Sequence, residues 1–343
     1  MFLRKNKKTK SELRFDVVNK DWVVLSEGRG KRPEDFKKSA RGGQDEAIDN
    51  MPCVFCDYFS QAKLVDKNFI VVPNKFPAFS PPHQTKLWCG GKPQKKSAIK
   101  SEGALFQKAP SEGVHEVIIF NDHSKQLFDF SFNEWEELLG VYQQRYIELS
   151  KEEFVNYISI FHNHGKMAGA SLIHPHSQII AIPFFDNNIK ASLDASKKFF
   201  QEKGQCIFCA INRAEKVAKK RIIFENNNFL VMCPFASKVN FEVVISPKNH
   251  LPYFEKMTKE EKGDLAQAFQ IIMAKINKGL NSPDYNFYLK TSPCDDKEYP
   301  FFHWHFTIMP RISVWAGFEL GTGIEIITMP PEKATDYLKN IKT

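Results

Sequence analysis

Asn163-His164-Gly165-Lys166-Met167-Ala168-Gly169-Ala170-Ser171-Leu172-Ile173-His174-Pro175-His176-Ser177-Gln178 joins a run of small residues to three polar side chains spaced two apart. Extended, the last part puts His174, His176 and Gln178 on one face, because successive strand side chains point to opposite sides. Glycine backbone can lie close to a phosphate, and an imidazole beside it can attack phosphorus. A lone His-x-His is commonest as an incidental feature of a surface strand. The small-residue loop before it and the Gln after it turn the pattern toward phosphate chemistry.

The stretch has an echo. His174-Pro175-His176 returns as His303-Trp304-His305, Cys53-Val54-Phe55-Cys56 as Cys206-Ile207-Phe208-Cys209, and Asn68-Phe69-Ile70-Val71-Val72 as Asn228-Phe229-Leu230-Val231-Met232. Glu116-Val117-Ile118-Ile119 before Asp122-His123 is answered by Glu242-Val243-Val244-Ile245 before Asn249-His250. The matches keep their order, and one extra segment in the first copy, Pro81 to about Glu112, accounts for the change in spacing. That segment is rich in Lys, Gly, Ser and Pro and reads as a loop.

Each copy therefore predicts strand, strand, helix, strand. Phe69–Val72, His115–Phe120, Tyr157–Phe161 and Ile179–Ile182 are β-branched and aromatic. Helical patterns cover Phe132–Leu149, Thr258–Ile276 and a connecting Ile189–Lys203. The expectation is an α+β fold with antiparallel sheets and flanking helices. The two repeats span residues 1–197 and 198–343, joined as one continuous sheet or a pseudo-symmetric pair.

The 343 residues are ample for a core, and 42% hydrophobic with 26% charged residues is ordinary for a globular chain. Five charges of the +8 excess lie in the first ten residues, as Arg4, Lys5, Lys7, Lys8 and Lys10. This reads as a solvated tail, and the 31 phenylalanines are scattered as core, which argues against nucleic acid as a partner. No apolar run reaches the ~20 residues of a membrane helix and no apolar leader follows the basic start, so the chain reads as cytoplasmic with no membrane partner.

Four of the seven cysteines form the two Cys-x-x-Cys pairs, a pattern of reduced thiols and metal sites, not of a disulfide framework. Thiolates two apart favour Zn²⁺, which takes sulfur and imidazole in a tetrahedron. The repeat supplies matched histidines. Cys53, Cys56, His123 and His174 are expected to form one structural Zn²⁺ site, and Cys206, Cys209, His250 and His303 the other. His115 is a rival ligand in the first copy, but the second copy has Phe241 there. Cys89, Cys233 and Cys294 read as plain thiols.

At these residues the chain resembles the galactose-1-phosphate uridylyltransferase family, the transferase branch of the histidine-triad superfamily. The likeness runs through Arg14-Phe15-Asp16, Trp22-Val23-Val24, Arg29-Gly30-Lys31-Arg32-Pro33, Pro73-Asn74-Lys75-Phe76-Pro77, Asp122-His123-Ser124, the opening motif and Gly317-Phe318-Glu319. ADP-sugar phosphorylases of the same superfamily are similar too, and the second Cys-x-x-Cys points toward their two-zinc type. The fold the resemblance implies is two tandem histidine-triad-like repeats. The implied mechanism is a double displacement, with His176 as nucleophile and His174 as the zinc ligand beside it.

Donors must face the phosphoryl oxygens, and Gln178, Ser171 and the amides of Gly169 and Ala170 are the candidates. By resemblance, Asn163 adds a phosphate contact, Arg29, Arg32 and Asn74 line the nucleotide pocket, and Glu319 is linked to the sugar. Thr307 replaces the Gln in the second copy, which is therefore expected to be catalytically silent. Ser177 stands where Gly is common, as in phosphorylase-like members. The resemblance implies a homodimer that moves UMP from UDP-glucose to a hexose 1-phosphate, with nucleotide sugar and sugar 1-phosphate as partners. An ADP-sugar phosphorylase or adenylyltransferase, a non-catalytic zinc-braced nucleotide-binding module and a nucleotidyl hydrolase are the alternatives.

Overall fold

The computed structural model describes residues 11–18, 21–26, 53–61, 68–82 and 99–343. The basic tail, Arg29, Arg32 and Cys89 lie outside the described residues. Two antiparallel sheets carry the fold. The smaller has four strands in the order β2-β1-β5-β4, made of β1 (Glu12–Asp16), β2 (Asp21–Leu25), β4 (Lys100–Glu102) and β5 (Phe106–Pro110). This corrects the expected loop over Pro81–Glu112, which holds two strands. β5 takes its order from a distant partner, pairing Leu13 with Ala109 and Phe15 with Gln107, so tertiary pairing overrides a loop-like composition.

The larger sheet has nine strands in the order β3-β6-β8-β7-β12-β13-β11-β10-β9. They are β3 (Phe69–Pro73), β6 (Val114–Phe120), β7 (Tyr157–His164), β8 (His176–Ile182), β9 (Ile222–Glu225), β10 (Phe229–Met232), β11 (Val243–Pro247), β12 (Tyr285–Lys290) and β13 (His305–Pro310). Read inward, β3-β6-β8-β7 of the first copy matches β10-β11-β13-β12 of the second, with β9 added outside β10. The copies meet where β7 pairs with β12, Asn163 opposite Asn286 and His162 opposite Phe287. One continuous sheet with internal pseudo-symmetry results, which unites the two alternatives open from sequence.

Alternation sorts β8 between two environments. Ile179 and Ala181 face the main core with Ile118 and Ile160, while His176 and Gln178 lie on the other face. The main core is closed by two long helices. α2 (Phe132–Leu149) starts at a capping box of Ser131 and Glu134, and α5 (Lys259–Leu280) at one of Thr258 and Glu261. α5 runs one turn past the expected Ile276, ending where Asn281 takes the left-handed conformation.

The connecting helix α3 (Asn187–Lys203) starts at Asp186, whose carboxylate caps the Ile189 N–H, and ends at Gly204. The expected division between residues 197 and 198 falls inside this unbroken helix. Two helices not expected from sequence, α1 (Val54–Gln61) and α4 (Ile207–Ala218), begin within the Cys-x-x-Cys motifs. The C-terminal part adds the short α6 (Gly317–Thr322) and α7 (Pro331–Asn340). Among the described residues, no helix is long and apolar enough to cross a membrane.

Trp135 of α2 stacks on Phe269 of α5 with centroids 4.6 Å apart, and both side chains are fully buried. The contact joins the helices of the two copies. Phe269→Ala should lower unfolding stability by about 3–5 kcal/mol. Because the pair spans both copies, denaturant titration should still give one transition by fluorescence and circular dichroism. Two separated transitions would contradict a shared core.

Candidate active site

The Cys-x-x-Cys motifs open helices, and helix N-termini favour negative charge, which suits thiolates. Cys53 stands just before α1 and Cys56 lies in its first turn. His174 approaches from the start of β8 and His123 from the turn after β6. The ligand atoms of Cys53, Cys56, His123 and His174 all lie within 4.8 Å of one another. Cys53 Sγ is 3.5 Å from His174 Nδ1, Cys56 Sγ is 3.4 Å from His123 Nδ1, and the two Nδ1 atoms are 3.1 Å apart. Bonds of about 2.0–2.3 Å to a tetrahedral metal imply edges of roughly 3.3–3.8 Å, so the cluster can hold a metal ion. His174 Nε2 donates to the Phe120 carbonyl at 2.6 Å, which turns the lone pair of Nδ1 toward the sulfurs.

The second copy repeats this arrangement. Cys206, Cys209, His250 and His303 meet the same criterion. Cys209 Sγ is 3.4 Å from His250 Nδ1 and 3.5 Å from His303 Nδ1, and His303 Nε2 donates to the Pro247 carbonyl at 2.9 Å. The hydrogen bond from Cys209 holds the Cys206 thiol well below its ordinary pKa, and the same bond raises Cys209. His115, the rival ligand, is in neither cluster; it lies 2.8 Å from Gln178, behind the wall of the cavity described next.

That cavity, about 880 Å³, lies on the face of the large sheet that carries His176 and Gln178. One side is the loop Gly169–Leu172 with Asn163. The other is α1, through Val54, Phe55, Asp57 and Tyr58, and the end of β3 with Val72, Pro73, Asn74 and Phe76. A shallower hollow between α2 and α5, lined by Phe132, Glu136, Lys259, Gly263, Asp264 and Gln267, contains no histidine or cysteine.

His176 has one nitrogen committed. Its Nδ1 is 2.9 Å from the His174 carbonyl oxygen, which can only accept, so Nδ1 carries the proton and Nε2 keeps its lone pair. Burial pushes the imidazole pKa below its usual value, partly offset by that hydrogen bond, and the ring is neutral at pH 7. Phe55 packs against the ring edge-on, with centroids 5.1 Å apart. Ser177, on the opposite face, meets Tyr142 Oη at 2.5 Å and His162 Nδ1 at 3.2 Å. Its hydroxyl thus ties the strand to α2 from behind.

The loop before β8 is shaped by glycine. Gly165 and Gly169 have φ of +81° and +79°. At Gly165 a Cβ would also collide with the Asp284 carboxylate. The Ala170 N–H closes the loop on the Gly165 carbonyl at 3.0 Å. Asp284 Oδ2 accepts from the Met167 N–H at 2.6 Å.

Of the residues singled out in sequence, His176, Gln178, Ser171, Gly169, Ala170, Asn163 and Asn74 meet around this cavity. Glu319 does not. It lies on α6, where its carboxylate accepts from the Ala316 N–H at 3.0 Å. Arg29 and Arg32 lie outside the described residues. Sequence reasoning passed over Phe55, Asp57, Tyr58 and Phe76. For Phe55 a signal existed, since it recurs as Phe208, which packs 5.3 Å from His305.

Residues 1–185 match the family model described as galactose-1-phosphate uridyl transferase, N-terminal domain, and residues 192–321 match its C-terminal counterpart. The chain is 31% identical to an ADP-glucose phosphorylase of Arabidopsis thaliana over 341 residues, covering 96% of this chain and 93% of that protein. It is 29% identical to a galactose-1-phosphate uridylyltransferase of Thermotoga maritima, covering 96% and 98%. Among solved structures, a uridylyltransferase superposes with a TM-score of 0.78 at 26% identity, covering 96% of this chain and 97% of that one. The Arabidopsis thaliana ADP-glucose phosphorylase with bound ADP-glucose superposes with a TM-score of 0.72 at 30% identity, covering 97% and 100%. With both domain models matched in order and relatives aligned over nearly the whole length, the chain belongs to the galactose-1-phosphate uridyl transferase family.

Proposed function

We propose that this enzyme transfers a nucleoside monophosphate through a covalent nucleotidyl-His176, taking UMP from UDP-glucose and passing it to a hexose 1-phosphate. The observation that carries the reading is the commitment of His176 Nδ1 to the His174 carbonyl, which leaves Nε2 for the cavity beside the glycine loop. Nε2 attacks the α-phosphorus as the bond from that phosphorus to the bridging oxygen breaks. The electron pair leaves on that oxygen as sugar 1-phosphate. The nucleotidylated ring is cationic, and its Nδ1–H donates more strongly to the same carbonyl, so one contact serves both states. A phosphate oxygen of the acceptor then attacks phosphorus and returns the electron pair to Nε2. Splitting the transfer lets one cavity receive two similar substrates in turn. Gln178, Asn163, Ser171 and the amides of the Gly169–Ser171 loop are the donors for the phosphoryl oxygens.

A second reading has its own support, the 31% identity to an ADP-glucose phosphorylase across 96% of this chain. There the nucleotide is AMP and the acceptor free phosphate. Incubation with labelled UDP-glucose or ADP-glucose should place acid-labile, base-stable label on His176, and His176→Ala should lower turnover by at least about 10⁴-fold. Supplying galactose 1-phosphate or inorganic phosphate then separates the readings by product, a new nucleotide sugar or a nucleoside diphosphate. Absence of label with every nucleotide sugar, with His176→Ala binding these ligands as the wild type does, would leave only a nucleotide-binding module.

Both Cys₂His₂ clusters fit Zn²⁺, and we assign it to them as a structural ion. When bound, it supplies a cross-link between the start of a helix and the strand that follows the second histidine. Metal analysis should give two zinc ions per chain. Cys206→Ser should leave one and lower the melting temperature. Cys56→Ser should also leave one but abolish nucleotidylation, because α1 forms a wall of the cavity. One metal or none in the wild type would contradict the paired assignment.

The reduced Cys pairs support a cytoplasmic location. The segment 312–326 supports a homodimer, since Val314, Phe318, Leu320, Ile324 and Ile326 are all more than half exposed. Light scattering should give about twice the 39.6 kDa chain mass. Leu320→Asp should shift the mass toward that of a single chain.

A further inference from the structure

A carboxamide has two ends of opposite character, a carbonyl that accepts and an NH₂ that donates. Beside a phosphoryl group only the donor end is useful, because an inverted amide sets a carbonyl oxygen against an anion. Gln178 and Asn163 both line the cavity, and each has its oxygen held by a residue that does not. We propose that His115 and Asn286 are positioning residues that lock these two amides with their NH₂ groups toward the transferred phosphoryl group. The inference rests on the nucleotidyl-transfer reading and adds to it what fixes the polarity of the phosphate site.

On one side, Gln178 Oε1 is 2.8 Å from His115 Nε2. The Ala78 N–H lies 3.2 Å from His115 Nδ1, and a backbone N–H can only donate. Nδ1 therefore accepts, the proton of the neutral ring is on Nε2, and Nε2 donates to Gln178 Oε1. Asn74, whose Oδ1 accepts from the Phe76 N–H at 2.9 Å, brings its Nδ2 to 3.2 Å from the same Nε2. Two donors face each other there, and the shorter contact to Gln178 carries the bond. An inverted Gln178 would meet the His115 N–H with its own NH₂. His115 is 3% exposed, so water is poorly placed to relieve that clash.

On the other side, Asn286 Nδ2 donates to Asn163 Oδ1 and to the Ala168 carbonyl, both at 2.8 Å. Both N–H bonds are used, and an inverted Asn286 would turn its oxygen toward two acceptors. The polarity therefore runs from a loop carbonyl through Asn286 to Asn163. Asn286 belongs to β12, in the second copy, two residues after the Asp284 that holds the Met167 N–H. The copy without the Gln thus sets the phosphate site of the copy that has it.

The test compares ligands with and without phosphate on the zinc-loaded protein. Binding of UDP, ADP, uridine and adenosine is measured for wild type, His115→Leu, His115→Gln and Asn286→Asp, with the burst rate of sugar 1-phosphate release. His115→Leu removes the donor to Gln178. Asn286→Asp can only accept, and so inverts Asn163. Each should weaken the preferred diphosphate and slow the burst by about tenfold to a hundredfold, the loss of one charge-assisted hydrogen bond, while nucleoside affinity stays within about twofold. His115→Gln keeps one donor and one acceptor and should recover most of the loss.

Unchanged diphosphate binding in His115→Leu and Asn286→Asp would overturn the inference. So would nucleoside and diphosphate affinities falling together, or His115→Gln failing as badly as His115→Leu. If Asn286→Asp does not fold, the His115 pair decides. A wild type that binds neither diphosphate would remove the transferase reading, and this inference with it.

Discussion

The site turns on one residue used twice. The imidazole of His174 completes a Cys₂His₂ cluster, and its backbone carbonyl takes the Nδ1–H of His176. Fixing the first fixes the second, because two residues of extended chain leave little freedom between them. The Phe120 carbonyl closes the chain of constraint, since it orients His174 from the neighbouring strand. The tautomer of His176, the proposed nucleophile, is thus set by backbone geometry and no carboxylate is needed to choose it. This matters at a neutral nucleophile, because an acidic partner would favour the imidazolium, the form with no lone pair to offer.

The same device is present in the second copy, where His305 Nδ1 lies 3.3 Å from the His303 carbonyl. Its consequences differ because the surroundings differ. Thr307 stands at the place of Gln178, and Lys290 stands opposite His305 in the β12–β13 register. Burial first, and the Lys290 charge after it, push the His305 pKa down to about 3. Phe302, with Tyr299, Ile189 and Leu193, forms an apolar cluster that Phe208 joins beside this histidine. Duplication thus kept the frame while one copy kept an open cavity and the other filled its neighbourhood with side chains. What the second copy returns is Asp284, just before β12, and Asn286 within it, which grip the loop of the first.

Much of this was legible in the chain because the repeat states it twice. Matched Cys-x-x-Cys and His-x-His motifs named the eight side chains that cluster, and alternation put His174, His176 and Gln178 on one face. The helix Phe132–Leu149 was legible with its bounds, and in the fold it starts at the capping box of Ser131 and Glu134. What escaped depended on long-range pairing. The strand Phe106–Pro110 has no strand signal apart from its partner at Glu12–Asp16. The helix after each Cys-x-x-Cys is short, and its start was hidden by reading the cysteines only as ligands. Glu319 was assigned by motif alone, and in the fold it caps its own short helix. His115 was weighed as a ligand because His and Cys invite that reading. Its buried place between a backbone N–H and a carboxamide gives it a different task.

The arrangement also separates chemistry from selection. The groups aimed at phosphate come from β7, β8 and the loop between them, in the middle of the nine-stranded sheet where every backbone position is constrained by neighbours on both sides. The facing wall of the cavity comes from α1 and the end of β3, the edge strand of the same sheet. Phe55, Tyr58, Val72 and Phe76 there offer apolar and aromatic surface, and Asp57 and Asn74 offer polar groups. An edge tolerates substitution that a central strand does not, so this wall can change without disturbing the tautomer of His176. The constraint on that freedom is the Cys₂His₂ cluster, because Cys53 and Cys56 hold the start of α1 against His174.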